Sequence, residues 1–264
     1  MTDAHATRAA VLVTVVKVEG SGPREPGAWM LVGANSEVVG TVGGGRLEHE
    51  ALALARDLLA GHSSPGTRRW SLGPSLGQCC GGVVYLQFDP VAAADLPALR
   101  ERLAVHGTPV ALFGGGHVGR AIVQACADLP FALTWIDSRD EIFPADLPAN
   151  VRCEHSDPVH AAVRDLVPGS LVLAMSFSHA EDLDVVASCL QRRRERADVP
   201  FVGLIGSKTK WATFRHRLEQ RGFSAAELDA VICPICIPGI AGKEPAVIAA
   251  SAVAQLLQVR ASHP

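Results

Sequence analysis

The residue types that could do chemistry sit in a few short segments. Gly77–Gln78–Cys79–Cys80–Gly81–Gly82 places adjacent cysteines in a glycine-flanked loop, where thiolates suit a soft metal or sulfur chemistry. Two neighbouring side chains chelate one metal poorly. The pattern therefore favours one of Cys79 and Cys80 as a metal ligand and the other as its support. Cys233–Pro234–Ile235–Cys236 is a C-x-x-C. Zinc would need a second pair, and none lies at suitable spacing. Pro238 and Gly239 argue against the helix that a thioredoxin-like redox motif would open. A redox pair and two loop cysteines brought near by chance both stand as readings.

Gly114–Gly115–Gly116–His117–Val118–Gly119 fits G-x-G-x-x-G, directly after the apolar run Val110–Phe113 and at the start of a helical pattern. Gly114, Gly116 and Gly119 let the backbone turn and approach a phosphate, which the N-terminus of the helix opened by His117 stabilises. Asp137 ends the next strand pattern, 18 residues after Gly119. An acid there accepts hydrogen bonds from ribose hydroxyls, and Arg139 beside it is an alternative partner for a phosphate. The competing reading is a fold that keeps its glycines for packing. Gly43–Gly44–Gly45, ahead of a second helical pattern, forms another anion nest, with Arg24 of Gly20–Gly27 available to a phosphate or carboxylate. Two purely structural turns are the alternative there.

Those residues need elements to hold them. The first half mixes short β-like runs (Val11–Val18, Ala28–Val32, Val38–Val42, Arg68–Leu72, Val83–Phe88) with one helix from Arg46, stopped by Gly61. Asp89 to Pro97 reads as the approach to a domain boundary. The second half alternates strands (Val110–Phe113, Ala132–Asp137, Val151–Glu154, Leu171–Ser176, Phe201–Ile205, Val231–Cys233) with helical patterns near His117–Ala127, Pro158–Leu166, Ala180–Arg193, Thr209–Arg221 and Pro245–Val259. That alternation predicts an α/β fold: a C-terminal Rossmann-like parallel sheet with helices on both faces (101–264), preceded by a smaller mixed α+β domain (1–100). Ligands of open α/β sheets bind beyond the carboxyl ends of the strands. This selects Ser178, His179, Asp182 and Asp184 after the fourth strand of the second half, Gly206, Ser207 and Lys208 after the fifth, and Cys233 after the sixth. Ser207 reads as a helix cap and Lys208 as a residue facing an anion.

Composition narrows the function. Over 264 residues, 48% are hydrophobic, 19% are charged and the net charge is −3, so packed cores are affordable and a nucleic-acid-binding charge excess is absent. The one basic run, Arg192–Arg193–Arg194–Glu195–Arg196, ends a helical pattern and reads as a solvated face. No apolar stretch approaches the roughly 20 residues of a membrane span. Seven cysteines without a secretion signal suggest reduced thiols and a cytoplasmic protein.

Taken in order, Gly-Ser-Gly-Pro-Arg-Glu-Pro-Gly, Gly-Thr-Val-Gly-Gly-Gly-Arg-Leu-Glu and Cys-Cys-Gly-Gly closely resemble the N-terminal domain of the XdhC/CoxI family, the xanthine dehydrogenase accessory proteins. Phe-Gly-Gly-Gly-His-Val-Gly, Ile-Asp-Ser-Arg, Leu-Ile-Gly-Ser-Lys and Cys-Pro-Ile resemble the Rossmann domain of that family, and the match runs from about residue 10 to residue 258. The resemblance implies a chaperone that binds the molybdenum cofactor (molybdopterin), supports its sulfuration and delivers it to xanthine dehydrogenase or a related hydroxylase. Its partners would be the apo-hydroxylase and a cysteine desulfurase, and the chain would form a homodimer without turnover of its own. On that reading the glycine nests take the phosphate, and Cys79 or Cys80 lies near molybdenum or the transferred sulfur. The alternative is an NAD(P)-dependent oxidoreductase built on the glycine motif and Asp137, with His179 or Lys208 essential for turnover. Two departures from the family pattern stand out: Cys236 replaces the glycine of Cys-Pro-Ile-Gly, and Lys243–Glu244–Pro245 lacks the threonine cap of Lys-Thr-Pro.

Overall fold

Alternating and continuous apolar runs build two different sheets. The structure, a computed structural model, describes residues 8–35, 37–73, 81–103 and 107–262. Chain packing separates two compact units, Met1–Ala104 and Val105–Pro264.

In the first unit, β1 (Arg8–Glu19), β2 (Trp29–Gly33), β3 (Val38–Gly40), β4 (Gly66–Ser71) and β5 (Val83–Ala92) form an antiparallel sheet in the order β3-β2-β1-β5-β4. Alternate residues of β5 are buried because one face receives α1 (Gly45–Leu59). Leu47, Ala51, Ala55 and Leu58 of α1 pack against Val84, Leu86 and Phe88. Gly61, at φ 79°, ends that helix, as its position predicts. The Asp89–Pro97 stretch lies near the end of this unit, ahead of its limit at Ala104. It completes β5 and leads through a 3-10 turn at Ala93–Asp95 into α2 (Leu96–Leu103). Leu99 then covers Ala10, Leu12 and Val91 on the second face of the sheet.

The second unit is a six-stranded parallel sheet with β6 (Thr108–Phe113), β7 (Phe131–Asp137), β8 (Val151–His155), β9 (Leu171–Ala174), β10 (Phe201–Leu204) and β11 (Val231–Ile232). Its order, β8-β7-β6-β9-β10-β11, is the 3-2-1-4-5-6 arrangement of doubly wound dinucleotide folds. β9 and β10 are buried at every residue, as strands covered on both faces must be. One face packs α4 (His179–Arg196) and α5 (Lys208–Gln220) through Val186, Leu190, Phe214 and Leu218. The other packs α3 (His117–Ala125) and α7 (Pro245–Ser262) through Ile122, Val123, Ala252 and Leu256. The short α6 spans Ala225–Asp229.

Two local expectations change. The segment predicted as a helix at Pro158–Leu166 is a 3-10 helix over Val159–Asp165. Arg192, the first residue of the basic run, is buried rather than solvated. Its guanidinium donates to the carbonyls of Val163 and Leu166 at 2.7 Å and pairs with Asp198 at 2.7 and 2.8 Å. A planar five-donor fork satisfies several carbonyls at the end of that 3-10 helix, which a lysine could not do.

Candidate functional site

β6 and β9 are adjacent, yet their chains leave in opposite directions, so a crevice opens at their carboxyl ends. The glycine motif lines it, and its three glycines do three different things. Gly114 has φ 123°, and a Cβ there would lie 2.0 Å from the carbonyl oxygen of Met175, on the turn after β9. Gly119 lies under the glycine loop, where a Cβ would meet the Gly114 carbonyl at 2.1 Å, so α3 packs directly on that loop. The Trp135 indole donates to that carbonyl at 2.9 Å. Gly116 precedes α3, is exposed, and would meet nothing within 4 Å. The tight turn, the close helix contact and the open approach are the roles that a phosphate-binding loop assigns to these positions. His117, the first residue of α3, is exposed beside Gly116.

Asp137 is handled differently. It is 2% exposed at the end of β7. One carboxylate oxygen accepts the Arg139 N–H and Nε at 2.9 Å; the other accepts the Gly115 N–H at 2.5 Å and Arg139 Nη2 at 2.8 Å. Burial pushes its pKa up, but the Arg139 hydrogen bonds and the Gly115 N–H outweigh this and hold the carboxyl below its ordinary value. Ile142, on the segment after Arg139, fills the space a Cβ of Gly115 would occupy. The acid expected to face a ribose is thus engaged by the chain itself, and Arg139 is engaged with it.

The far side of the crevice carries a buried ion pair. Asp182 of α4 accepts the Ser176 N–H at 2.7 Å, and its other oxygen accepts Lys210 Nζ at 2.7 Å. Lys210 also donates to the Ile205 carbonyl at 2.9 Å. Its side chain is 11% exposed and that of Asp182 is 3% exposed. Gly206, at φ 157°, makes this possible, since a Cβ there would meet Lys210 Cδ at 2.6 Å. Ser207 and Ser178 cap α5 and α4, accepting the N–H groups of Lys210 and Glu181. His179 and Lys208 are exposed at the first turns of those helices. The lysine that the rim holds is therefore Lys210, two residues beyond Lys208. Asp184 pairs with Arg221 outside this arrangement, at 2.7 Å.

Cys233 lies within electrostatic reach of Lys210 and Asp182. Burial pushes its thiol up to about 11, with Lys210 lowering and Asp182 raising it by smaller amounts. Cys233 packs against the α4–α5 core, whereas Cys236 packs against the α3–α7 core, on the opposite face of the sheet. Cys236 holds φ 108°, the left-handed region that favours glycine. Its N–H donates to Gln255 Oε1 at 2.9 Å. Ser176, whose buried Oγ has no hydrogen-bond partner among the described residues, and Phe177, 68% exposed, also stand on this rim. Neither Lys210, Ser176 nor Phe177 stands out in the sequence. Only the turn after β9 and the φ of Gly206 bring them forward.

In the first unit, Gly43, Gly44 and Gly45 all have positive φ, and Gly44 is the N-cap residue of α1. This nest holds the chain's own carboxylate. Glu48 Oε2 accepts the N–H groups of Val42 at 3.0 Å and Gly44 at 3.2 Å, and the Thr41 hydroxyl. Burial raises its pKa, but the Thr41 and backbone hydrogen bonds from Gly44, Val42 and Gly43 together lower it below the ordinary range. Pro23 and Arg24 lie over Gly43, and Arg24 is exposed. An apolar groove of about 610 Å³ in this unit, lined by residues including Trp29, Leu31, Leu99 and Leu103, collects none of the candidate residues. Cys79 and Cys80 lie outside the described residues. Among the described residues no three His, Cys, Asp or Glu side chains gather as a metal-ligand set, and no helix is long and apolar enough to cross a membrane.

The second unit is, by strand order and glycine loop, a Rossmann-type domain. Its residues 110–256 match the XdhC Rossmann domain, and residues 4–71 match the XdhC and CoxI family. The chain belongs to the XdhC/CoxI family. It is 27% identical over 261 residues to the uncharacterized protein YqeB of Escherichia coli (strain K12), covering 96% of this chain but only 44% of that relative's length. A Bacillus halodurans crystal structure named as a xanthine dehydrogenase shares the fold, with a TM-score of 0.78 at 20% identity over 97% of this chain and 92% of that one.

Proposed function

We propose that the chain serves the maturation of xanthine dehydrogenase or a related molybdenum hydroxylase by carrying molybdenum cofactor as its cargo. Family membership supports the maturation role. The observation that carries the cargo reading is the division of labour at the crevice. The carboxylate that would read a dinucleotide's ribose is buried under Arg139 and the Gly115 N–H, while Gly116 and the α3 N-terminus stay open. Such a site suits a phosphate without suiting a nicotinamide dinucleotide, and molybdopterin carries one phosphate joined through a pyran ring to its polar pterin. A carrier must also release what it holds, which fits a rim of backbone N–H groups better than a cage of strong ligands. One of Cys79 and Cys80 supplies a soft ligand near molybdenum or the transferred sulfur and the other supports it, a cysteine desulfurase supplies the sulfur, and a homodimer delivers the cofactor in the cytoplasm.

The test is anaerobic. The full chain is incubated with molybdenum cofactor or with NAD(H), freed of unbound ligand, and assayed for pterin fluorescence after oxidation and for molybdenum. Retained pterin with molybdenum and no nucleotide is expected. Retained nucleotide alone would replace this reading with the NAD(P)-dependent oxidoreductase. The double variant Cys79→Ala/Cys80→Ala is expected to lose molybdenum retention while keeping its fold by circular dichroism. Retention at the wild-type level would remove those cysteines from the site.

A further inference from the structure

Phe177 is out of place for a residue that serves packing. It is 68% exposed, and it is the one aromatic among the large apolar side chains exposed in the described residues. It follows Ser176 at the carboxyl end of β9, at the mouth of the crevice, and immediately precedes the Ser178 cap of α4. One ring face is covered: the Arg139 guanidinium carbon lies 4.8 Å from the ring centroid. Arg139 is not free to swing away, because Asp137 holds it through Nε and Nη2. The same Asp137 carboxylate accepts the Gly115 N–H, and Gly114 packs against the backbone of Met175 and Ser176. The glycine loop and Phe177 are therefore tied together through Asp137, Arg139 and the turn after β9.

An aromatic ring clamped by a fixed cation on one face and left to solvent on the other has a specific use. The cation sets the ring's orientation and strengthens its hold. The remaining face offers a stacking surface to a flat heteroaromatic ring, which an aliphatic side chain would not provide. We propose that Phe177, backed by Arg139, is the stacking platform for the flat ring of the ligand, while its phosphate lies at the open glycine loop. The choice of a pterin as that ring rests on the cargo reading above. The platform itself rests on the geometry.

The experiment titrates the full chain with the fluorescent, phosphorylated oxidation product of molybdopterin and, separately, with GMP as a flat phosphorylated ring that is not a pterin. Wild type, Phe177→Ala and Phe177→Trp are compared by fluorescence anisotropy and calorimetry. The exposed position makes folding of both variants straightforward to verify by circular dichroism. Phe177→Ala is expected to weaken pterin binding about tenfold and Phe177→Trp to keep it near the wild-type level. Equal pterin binding by Phe177→Ala and wild type would overturn the platform and leave the cargo reading standing. Binding of GMP alone, lost on Phe177→Ala, would uphold the platform and overturn the pterin. No binding of either probe by wild type would overturn both.

Discussion

Two glycine runs in this chain are spelled alike and meet their carboxylates differently. Gly43–Gly45 and Gly114–Gly116 each lead into a helix, and each presents backbone N–H groups to a carboxylate. In the first unit the carboxylate comes from Glu48, one turn into the same helix, and it takes the Val42 and Gly44 donors together with the Thr41 hydroxyl. The nest is filled from within. In the second unit Asp137 reaches across from a neighbouring strand and takes the Gly115 N–H alone, leaving Gly116 open at the head of α3. An anion nest is thus filled or left open according to where the nearest carboxylate enters it. Spacing of glycines does not reveal that, although the backbones differ: Gly43, Gly44 and Gly45 all have positive φ, whereas of Gly114–Gly116 only Gly114 does.

The contrast breaks first at Gly114. Its Cβ would strike a backbone carbonyl and φ is 123°, so Gly114→Ala is expected to cost more than about 4 kcal/mol and to leave the second unit unfolded. Gly44→Ala meets nothing within 4 Å, and at φ 72° it is expected to cost about 1–3 kcal/mol. Urea unfolding of the two variants separates them, and equal losses would mean that the loops are held alike. Next comes the buried ion pair on the rim. Lys210→Met leaves the Asp182 carboxylate buried without its cation, a loss of about 3–5 kcal/mol. Lys208→Met, at an exposed site, should stay within about 0.5 kcal/mol. A larger effect at Lys208 would return the rim to that residue.

Glu48→Gln sharpens the comparison further. The amide keeps the shape but loses the charge at the α1 N-terminus, with an expected cost of about 1–2 kcal/mol at neutral pH. The folded protein holds the Glu48 carboxyl below its ordinary value, so its contribution is complete above the unfolded pKa and fades as pH falls through the lower folded one. The gap between wild type and Glu48→Gln should therefore narrow steadily as pH falls below the ordinary glutamate value of about 4.3. A gap that does not narrow on acidification would show that the charge is not what fills the nest. The smallest effect belongs to Cys236, where a side chain stands at φ 108°. Cys236→Gly relieves that strain but gives up some thiol packing, and a net gain of roughly 1 kcal/mol is expected in thermal unfolding. A loss would mean that the thiol holds α7 through its contact with Ile248.

Much of this frame was legible in the sequence. The six strands of the second half, the glycine motif and Asp137 at a strand end fall where the pattern places them, most plainly at β9 and β10, which are buried at every residue and continuously apolar. The resemblance in the linked motifs identifies the family. What stayed hidden depends on where a long side chain goes. Lys210 and Lys208 look interchangeable until Gly206 turns the backbone and folds Lys210 over it. Arg192 reads as one arginine among four until the carbonyls at the end of the 3-10 helix surround it. The Glu48 carboxylate in the nest was within reach of sequence reasoning, since an acid four residues after an N-cap glycine faces the N-H groups it can accept. The C-x-x-C spacing was misleading in the opposite sense, since its two thiols pack into cores on opposite faces of one sheet.

Amide hydrogen exchange tests directly whether the second unit's glycine loop receives a ligand while the first unit's loop is already satisfied. The full chain is compared anaerobically with and without molybdenum cofactor. Slowed exchange is expected at residues 114–118 and 175–178, with residues 42–48 unchanged. Protection confined to residues 42–48 would contradict this and move the site to the nest that Glu48 fills.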